Sequence, residues 1–157
     1  MSGPGPDSFI LRPFWTADTK KVVGYAMGNR MRTSLVCQAI DMAVRRCPID
    51  RGVTIFHSDR GSQYTSQRFL DHLRSYGIRP SVGRAKVCWD NAWAESFNAT
   101  LKNERVHRMV YPTKDKAIKD IASWIELTYN HVRLHSALGY RAPNEVEREF
   151  LDLTKAA

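Results

Sequence analysis

Apolar positions along the chain fall into short runs whose period changes from segment to segment. Lys20 to Met27 (KKVVGYAM) is rich in β-formers and reads as a buried or half-buried strand. Thr33 to Cys47 then places Leu35, Val36, Ala39, Ile40, Ala43 and Val44 on one helical stripe. Thr33 or Ser34 can cap that helix, and Pro48 stands beyond its end. Val53 to Phe56 is a short strand that runs directly into HSDRGSQY. A helix from about Ser66 turns Phe69, Leu70 and Leu73 inward, with Gly77 where a C-terminal cap belongs. Ile78 to Val82 is another short strand, and Gly83 to Val87 a loop. A long helix starts near Asp90 or Asn91, either of which can cap it. A last helix spans about Thr113 to Val132, with Ile118, Ile121, Ala122, Ile125 and Tyr129 on one face. Strands alternating with helices predict an α/β fold whose strand-end loops are open to chemistry. Residues 1–14 read as an irregular leader, 15–150 as the folded core and 151–157 as a tail.

Composition adds a partner class. Twenty-four Lys and Arg against 16 Asp and Glu give a net charge of +8, which favours polyanions because each neutralised phosphate releases counterions. Three cysteines without a CxxC pair argue against a zinc site or a disulfide framework. No apolar run approaches the roughly 18 residues that span a bilayer, and Met1 to Pro13 holds Gly and Pro where a signal peptide would be apolar. A cytoplasmic protein with no membrane partner is expected.

Two carboxylates stand out. Asp59 follows a strand directly, where open α/β sheets place ligand-binding groups; the plainer reading is a turn-forming Asp-Arg-Gly. Glu95 lies one turn into the long helix, where an acid can simply complement the positive helix end. Asn98, Ala99 and Lys102 share its face, however, and Lys102, Arg105 and Arg108 add a positive track. An anionic substrate along this helix would meet a metal ligand first and phosphate-binding cations next. Paired carboxylates in a basic protein suit divalent-metal phosphoryl transfer.

HSDRGSQYTS (57–66), DNAWAESFNATLKNE (90–104) and YNHVRLHSALGYRAP (129–143) together resemble the integrase core of bacterial insertion-sequence transposases, the DDE branch of the retroviral-integrase superfamily. The resemblance covers about Lys20 to Phe150 and implies an RNase H-like fold, a mixed central sheet flanked by helices. It implies strand cleavage and strand transfer with Mg²⁺ or Mn²⁺, two ions in an intact site. It puts the second and third acidic ligands at Asp59 and Glu95, and 35 residues lie between them, as the family spacing requires. Their carboxylates should then lie within about 8 Å of each other. Lys102 matches the family's helix lysine, and Arg105 and Arg60 are further candidate DNA contacts. The implied partners are double-stranded DNA (element ends and target) and further copies of the chain; the implied setting is the bacterial nucleoid.

The first aspartate departs from the pattern. Trp15-Thr16-Ala17-Asp18 resembles the start of the family's first strand, but Thr19 opens a later family word at once, so the first hairpin is shortened. Asp18 is the candidate first ligand; its plainer reading is a loop aspartate ahead of a strand. The vacated strand position is either empty or filled by Phe9 to Phe14, where Pro13 fits a central strand poorly. His131 and His135 are four apart, but no third ligand has matching spacing, so packing or hydrogen bonding is expected of them. Trp124 belongs in its helix core, while Trp93 is a candidate DNA contact. Two functions stay open: a transposase catalytic domain, or a non-catalytic DNA-binding or multimerising remnant. A nuclease that cleaves without joining shares the fold.

Overall fold

The computed structural model describes residues 10–16, 18–30, 32–58, 61–82 and 88–156. β1 (Ile10–Trp15) and β2 (Val22–Gly28) form an antiparallel ladder whose register shifts between Phe14 and Trp15. The stretch expected to be leader is therefore strand from Ile10 onward, and the strand expected at Trp15 to Asp18 ends at Trp15. Pro13 is tolerated because, among the described residues, β1 has a ladder partner on one side only, so no ladder bond is lost to its missing N–H. β3 (Ile55–Ser58) and β4 (Arg79–Val82) pair in parallel, Ile55 opposite Arg79 through Ser58 opposite Val82. Both pairing senses of a mixed sheet are present, divided between two ladders.

Six α-helices are found among the described residues: α1 (Thr33–Arg46), α2 (Ser62–Thr65), α3 (Gln67–Ser75), α4 (Cys88–Glu104), α5 (Lys114–Ser123) and α6 (Pro143–Ala156). α1 begins one residue earlier than its hydroxyl cap predicts: Arg32 is the N-cap and makes no side-chain bond. Thr33 instead pairs its hydroxyl with that of Ser66 at 3.4 Å, tying the starts of α1 and α3 together. Ser66 caps α3, accepting from the Phe69 N–H at 3.3 Å. Gly77 ends it with φ +70°, its N–H bonded to Arg74 O at 2.9 Å and the next N–H, of Ile78, to Leu73 O at 3.0 Å. α4 starts before Asp90 and Asn91, which fall in its first turn instead of preceding it. Residues 151–156, read as tail, continue α6.

The β1–β2 ladder is sandwiched. Leu11, Trp15, Tyr25 and Met27 turn to a core of Val22, Phe97, Leu101, Ile121, Trp124, Ile125 and Tyr129. The alternate residues Phe14 and Ala26 face Leu35 and Ala39 of α1, the period-2 division that a pleated strand imposes. A second core gathers α1, α3 and β4's approach: Val36, Ile40, Phe69, Leu73 and Ile78, with Phe56 of β3 against it. Phe14 touches Phe56 edge-on, ring centroids 4.9 Å apart, and so joins the two ladders.

The predicted helix from 113 to 132 is not uniform. Thr113 caps α5, accepting from Lys116 N–H at 3.2 Å. From Trp124 to Tyr129 the coil widens into a π-helix, and the Asn130 N–H reaches the Ile125 carbonyl at 3.0 Å. The wider turn lets Trp124, Ile125, Tyr129 and Asn130 all face inward. Asn130 is 1% exposed, and its amide pairs with Val22 twice: Oδ1 accepts from Val22 N–H and Nδ2 donates to Val22 O, both at 2.9 Å. A side chain thus completes the ladder at the start of β2.

Between α4 and α5, Asp120 accepts both Nε (2.7 Å) and Nη2 of Arg105 and the Tyr111 hydroxyl (2.6 Å). The Arg105 bond holds the Asp120 carboxyl below its ordinary 3.8; burial opposes this and the Tyr111 bond assists. Burial first, then the bond to Asp120, pushes the Tyr111 phenol up to about 12. A depressed carboxyl contributes stability that is present above its unfolded value and lost as pH falls through the folded one. Asp120→Asn should therefore flatten the acid side of the stability curve, read from thermal melts between about pH 7 and about pH 3. An acid side as steep as the parent's would count against the triad.

Candidate metal and DNA-contacting face

α4 is two-sided by sequence and by packing. Phe97 (2% exposed) and Leu101 are buried, while Glu95, Asn98, Ala99 and Lys102 face solvent, the helical face expected from their spacing. The buried side fixes the helix: Phe97 meets Trp15 edge-on at 5.5 Å, Trp124 at 5.9 Å and Tyr129 at 4.9 Å. Such pairs contribute about 0.5–1.5 kcal/mol each beyond the area they bury. The Trp15 contact seats the end of β1 on α4 shortly before Asp18 and shortly after Glu95, so the segments carrying these two acids are neighbours.

Asp18 itself lies in the β1–β2 turn and is exposed. Thr16 N–H donates to Lys21 O and Lys20 N–H to Thr16 O, each at 3.0 Å, and Thr16 and Thr19 pair their hydroxyls. Asp59 and Arg60 lie outside the described residues, as does any distance from Asp59 to Glu95. β3 reaches Ser58 just before them, and His57 Nδ1 pairs with Ser81 Oγ across the parallel ladder at 3.2 Å. Among the described residues no three His, Cys, Asp or Glu side chains gather as a metal cluster would require. The carboxylate of Glu95 is an oxygen donor of the class that hard divalent cations take, and it stands on the open side of its helix.

The cations divide. Lys102 is on the exposed face of α4. Arg105 is held in the two-point pair with Asp120, which offsets its charge. Arg108 turns its Nε back to the Asn103 carbonyl at 3.0 Å, and Arg133 pairs with Glu104. His131 and His135 do not share a helical turn: the helix ends at Tyr129, and His135 opens a short bridge to Arg141. Burial, then Arg133, lowers the His135 imidazole below its ordinary value. The sequence reading missed Asn130; its signal was an amide directly after a helical stripe. The Trp93 side chain lies outside what is described.

Two ladders of opposite sense, α1 packed on the first and α4 carrying an acid on its open face, define an integrase-type RNase H-like fold. The catalytic core domain of BIV integrase superposes with a TM-score of 0.69 at 18% identity, covering 98% of this chain and 93% of that one. Two family profiles, both described as integrase core domain, match residues 14–88 and 76–143. The transposase for insertion sequence element IS904 of Lactococcus lactis subsp. lactis is 38% identical over 130 residues, 83% of this chain and 51% of that protein. The transposase InsF for insertion sequence IS3A of Escherichia coli K12 is 35% identical over 133 residues, 85% and 46% of the two chains. The chain belongs to the integrase core family, in the form carried by insertion-sequence transposases. It spans about half the length of these two relatives. Domains of this family generally use divalent metals. Among the described residues no helix is long and apolar enough to cross a membrane.

Proposed function

We propose that the chain is the catalytic core of a DNA transposase, acting at the nucleoid of a bacterial cytoplasm on element ends and target DNA as a homo-oligomer. The observation that carries this reading is the open face of α4, where Glu95 and Lys102 stand on a helix anchored from behind by Phe97. Glu95 with Asp59 would hold Mg²⁺ or Mn²⁺, two ions if a third carboxylate joins them, and Asp18 is the candidate. The bound metal would supply an activated oxygen nucleophile and neutralise charge developing on the phosphate. Lys102 and Arg60 would hold the DNA backbone; Arg105 would act mainly through Asp120, positioning the end of α4.

A salt titration tests the DNA reading. Affinity for a short duplex, followed by fluorescence anisotropy, should fall steeply with salt, with a log–log slope of magnitude about 0.9 per phosphate contacted. Lys102→Ala should make it shallower by about one contact. A flat dependence, or no binding at low salt, removes nucleic acid as the partner.

One observation favours the second reading, a core that binds DNA but cuts poorly: Asp18 sits in a turn beyond the end of β1. Mg²⁺ demands near-octahedral oxygen coordination, and two carboxylates leave one side of the in-line transfer unsupported. Mg²⁺- or Mn²⁺-dependent nicking of duplex DNA should accordingly be faint, and Asp59→Asn should remove what there is. Robust nicking that vanishes in Asp59→Asn would make Asp18 a true ligand and return the full catalytic reading.

A further inference from the structure

The cation track expected along α4 is interrupted at Arg105, whose charge Asp120 offsets. α5 lies beside α4 and runs the opposite way: Phe97 meets Trp124 and Tyr129, beyond the end of α5, whereas Arg105, further along α4, meets Asp120 within it. Ala117 (3% exposed) and Ile121 (1%) turn to the core behind. At about 100° per residue, Lys116 stands one turn before Asp120 and about 40° round from it, and Lys119 about 100° round on the same side, away from Ala117 and Ile121. Both lysines are exposed, and neither has an ion-pair partner among the described residues. Lys102 precedes Arg105 by less than a turn, on the solvent side of the same bridge. With a rise of about 1.5 Å per residue and the Arg105–Asp120 bridge as the common level, Lys119 lies about 6 Å and Lys116 about 10 Å beyond Lys102 along the shared axis.

Those intervals match about two and about three steps of a DNA strand, which presents a phosphate every 3.4 Å or so along the duplex axis. The row of cations therefore does not stop at the neutral bridge; it continues on the second helix. We infer that the DNA backbone lying along α4 crosses to α5 at the Arg105–Asp120 bridge, with Lys119 and then Lys116 holding its next phosphates. The inference rests on the reading of the α4 face as a DNA contact. It adds the direction in which the duplex leaves Glu95: toward the start of α5, away from the segment after Tyr129. Asp120 adds little repulsion at the crossing, since Arg105 offsets its charge and the bonds from Arg105 and Tyr111 occupy its oxygens. Each lysine ammonium sits on a flexible four-carbon stem, which spans the sideways offset between the two helices.

The test is the salt dependence of binding to a short duplex, followed by anisotropy on the full chain. The double variant Lys116→Ala/Lys119→Ala removes two phosphate contacts and none of the side-chain bonds described above. Its log–log slope should shrink by about 1.8 in magnitude, at about 0.9 per contact. Adding Lys102→Ala should take off one contact more. Melting curves check that each variant folds like the parent. Lys155→Ala, which removes a positive charge from the last turn of α6, should leave the slope unchanged. A double variant with the parent's slope, where Lys102→Ala still lowers it, overturns the crossing and leaves the DNA reading standing. A loss in Lys155→Ala as large per charge shows that overall charge alone is felt, and overturns the crossing too. A flat salt dependence in the parent overturns the DNA reading with it.

Discussion

Asn130→Leu should lose about 4 kcal/mol of stability, because each of the two Val22 backbone groups it orphans costs about 1–3 kcal/mol. For a domain of this size that lowers the melting temperature by roughly 8–16 °C. The physical reason is position: Val22 is fully buried, and so is the amide that serves it, so water cannot replace either bond. Leucine matches asparagine in branching and in number of heavy atoms, though its methyls are bulkier, and it offers neither donor nor acceptor. Urea unfolding checks the size of the loss, with the midpoint falling at constant slope. Asn130→Asp refines the test. Only a protonated carboxyl can both donate and accept here, so its folded pKa is raised and its stability is greatest at low pH, declining as pH rises through that value. A loss under about 1 kcal/mol in Asn130→Leu would mean that Val22 finds other partners.

Gly24→Ala should lose about 3 kcal/mol, the upper range for forcing extra atoms into a close-packed interior. At Gly24 β2 and α1 meet backbone to backbone. An added Cβ would run into the Ala39 carbonyl oxygen and come within 2.9 Å of the Ala43 Cβ. Neither obstacle is the end of a flexible side chain, so α1 would have to lift from the ladder it covers, opening contacts at Leu35 and Ala39. Thermal melts of Gly24→Ala against Gly52→Ala are informative. Gly52 has φ +78° and nothing within 4 Å of an added Cβ, so its cost is conformational only. Equal losses at the two sites would show that the helix–strand approach at Gly24 is not tight.

Much of the fold was legible because its signals are local. The stripe Leu35 to Val44, the helix starts near Ser66 and Thr113 and the Gly77 stop each rest on residues within one or two turns of one another. The open face of α4 was legible for the same reason, being a matter of spacing on one helix. β1 was not. Pro13 counts against a strand until the one-sided pairing is known, and that pairing is a property of the assembled sheet. The fate of Arg105 was equally hidden. Its neighbours on α4 suggest a phosphate track, whereas its partner Asp120 lies on α5, where no helical period of α4 could reveal it. Asn130 belongs with these: its value depends on Val22, at the other end of the chain.

The widened coil from Trp124 to Tyr129 also governs where this lineage can change length. An ordinary helix advances about 100° per residue. Losing one residue from this stretch would restore the narrower coil and swing everything after it by about that angle. Asn130 would leave Val22, and Arg133 and His135 would leave the flank of α4. Adding a residue would shift the same groups the other way. At Gly52 an added Cβ would meet open space, but the Gly52 N–H bonds the Gly77 carbonyl at 2.7 Å, so an insertion there would cost that bond without rotating the groups that face α4. The tolerance of this core to insertion and deletion is therefore lowest between Trp124 and Asn130, where one irregular helical turn sets the direction of everything after it.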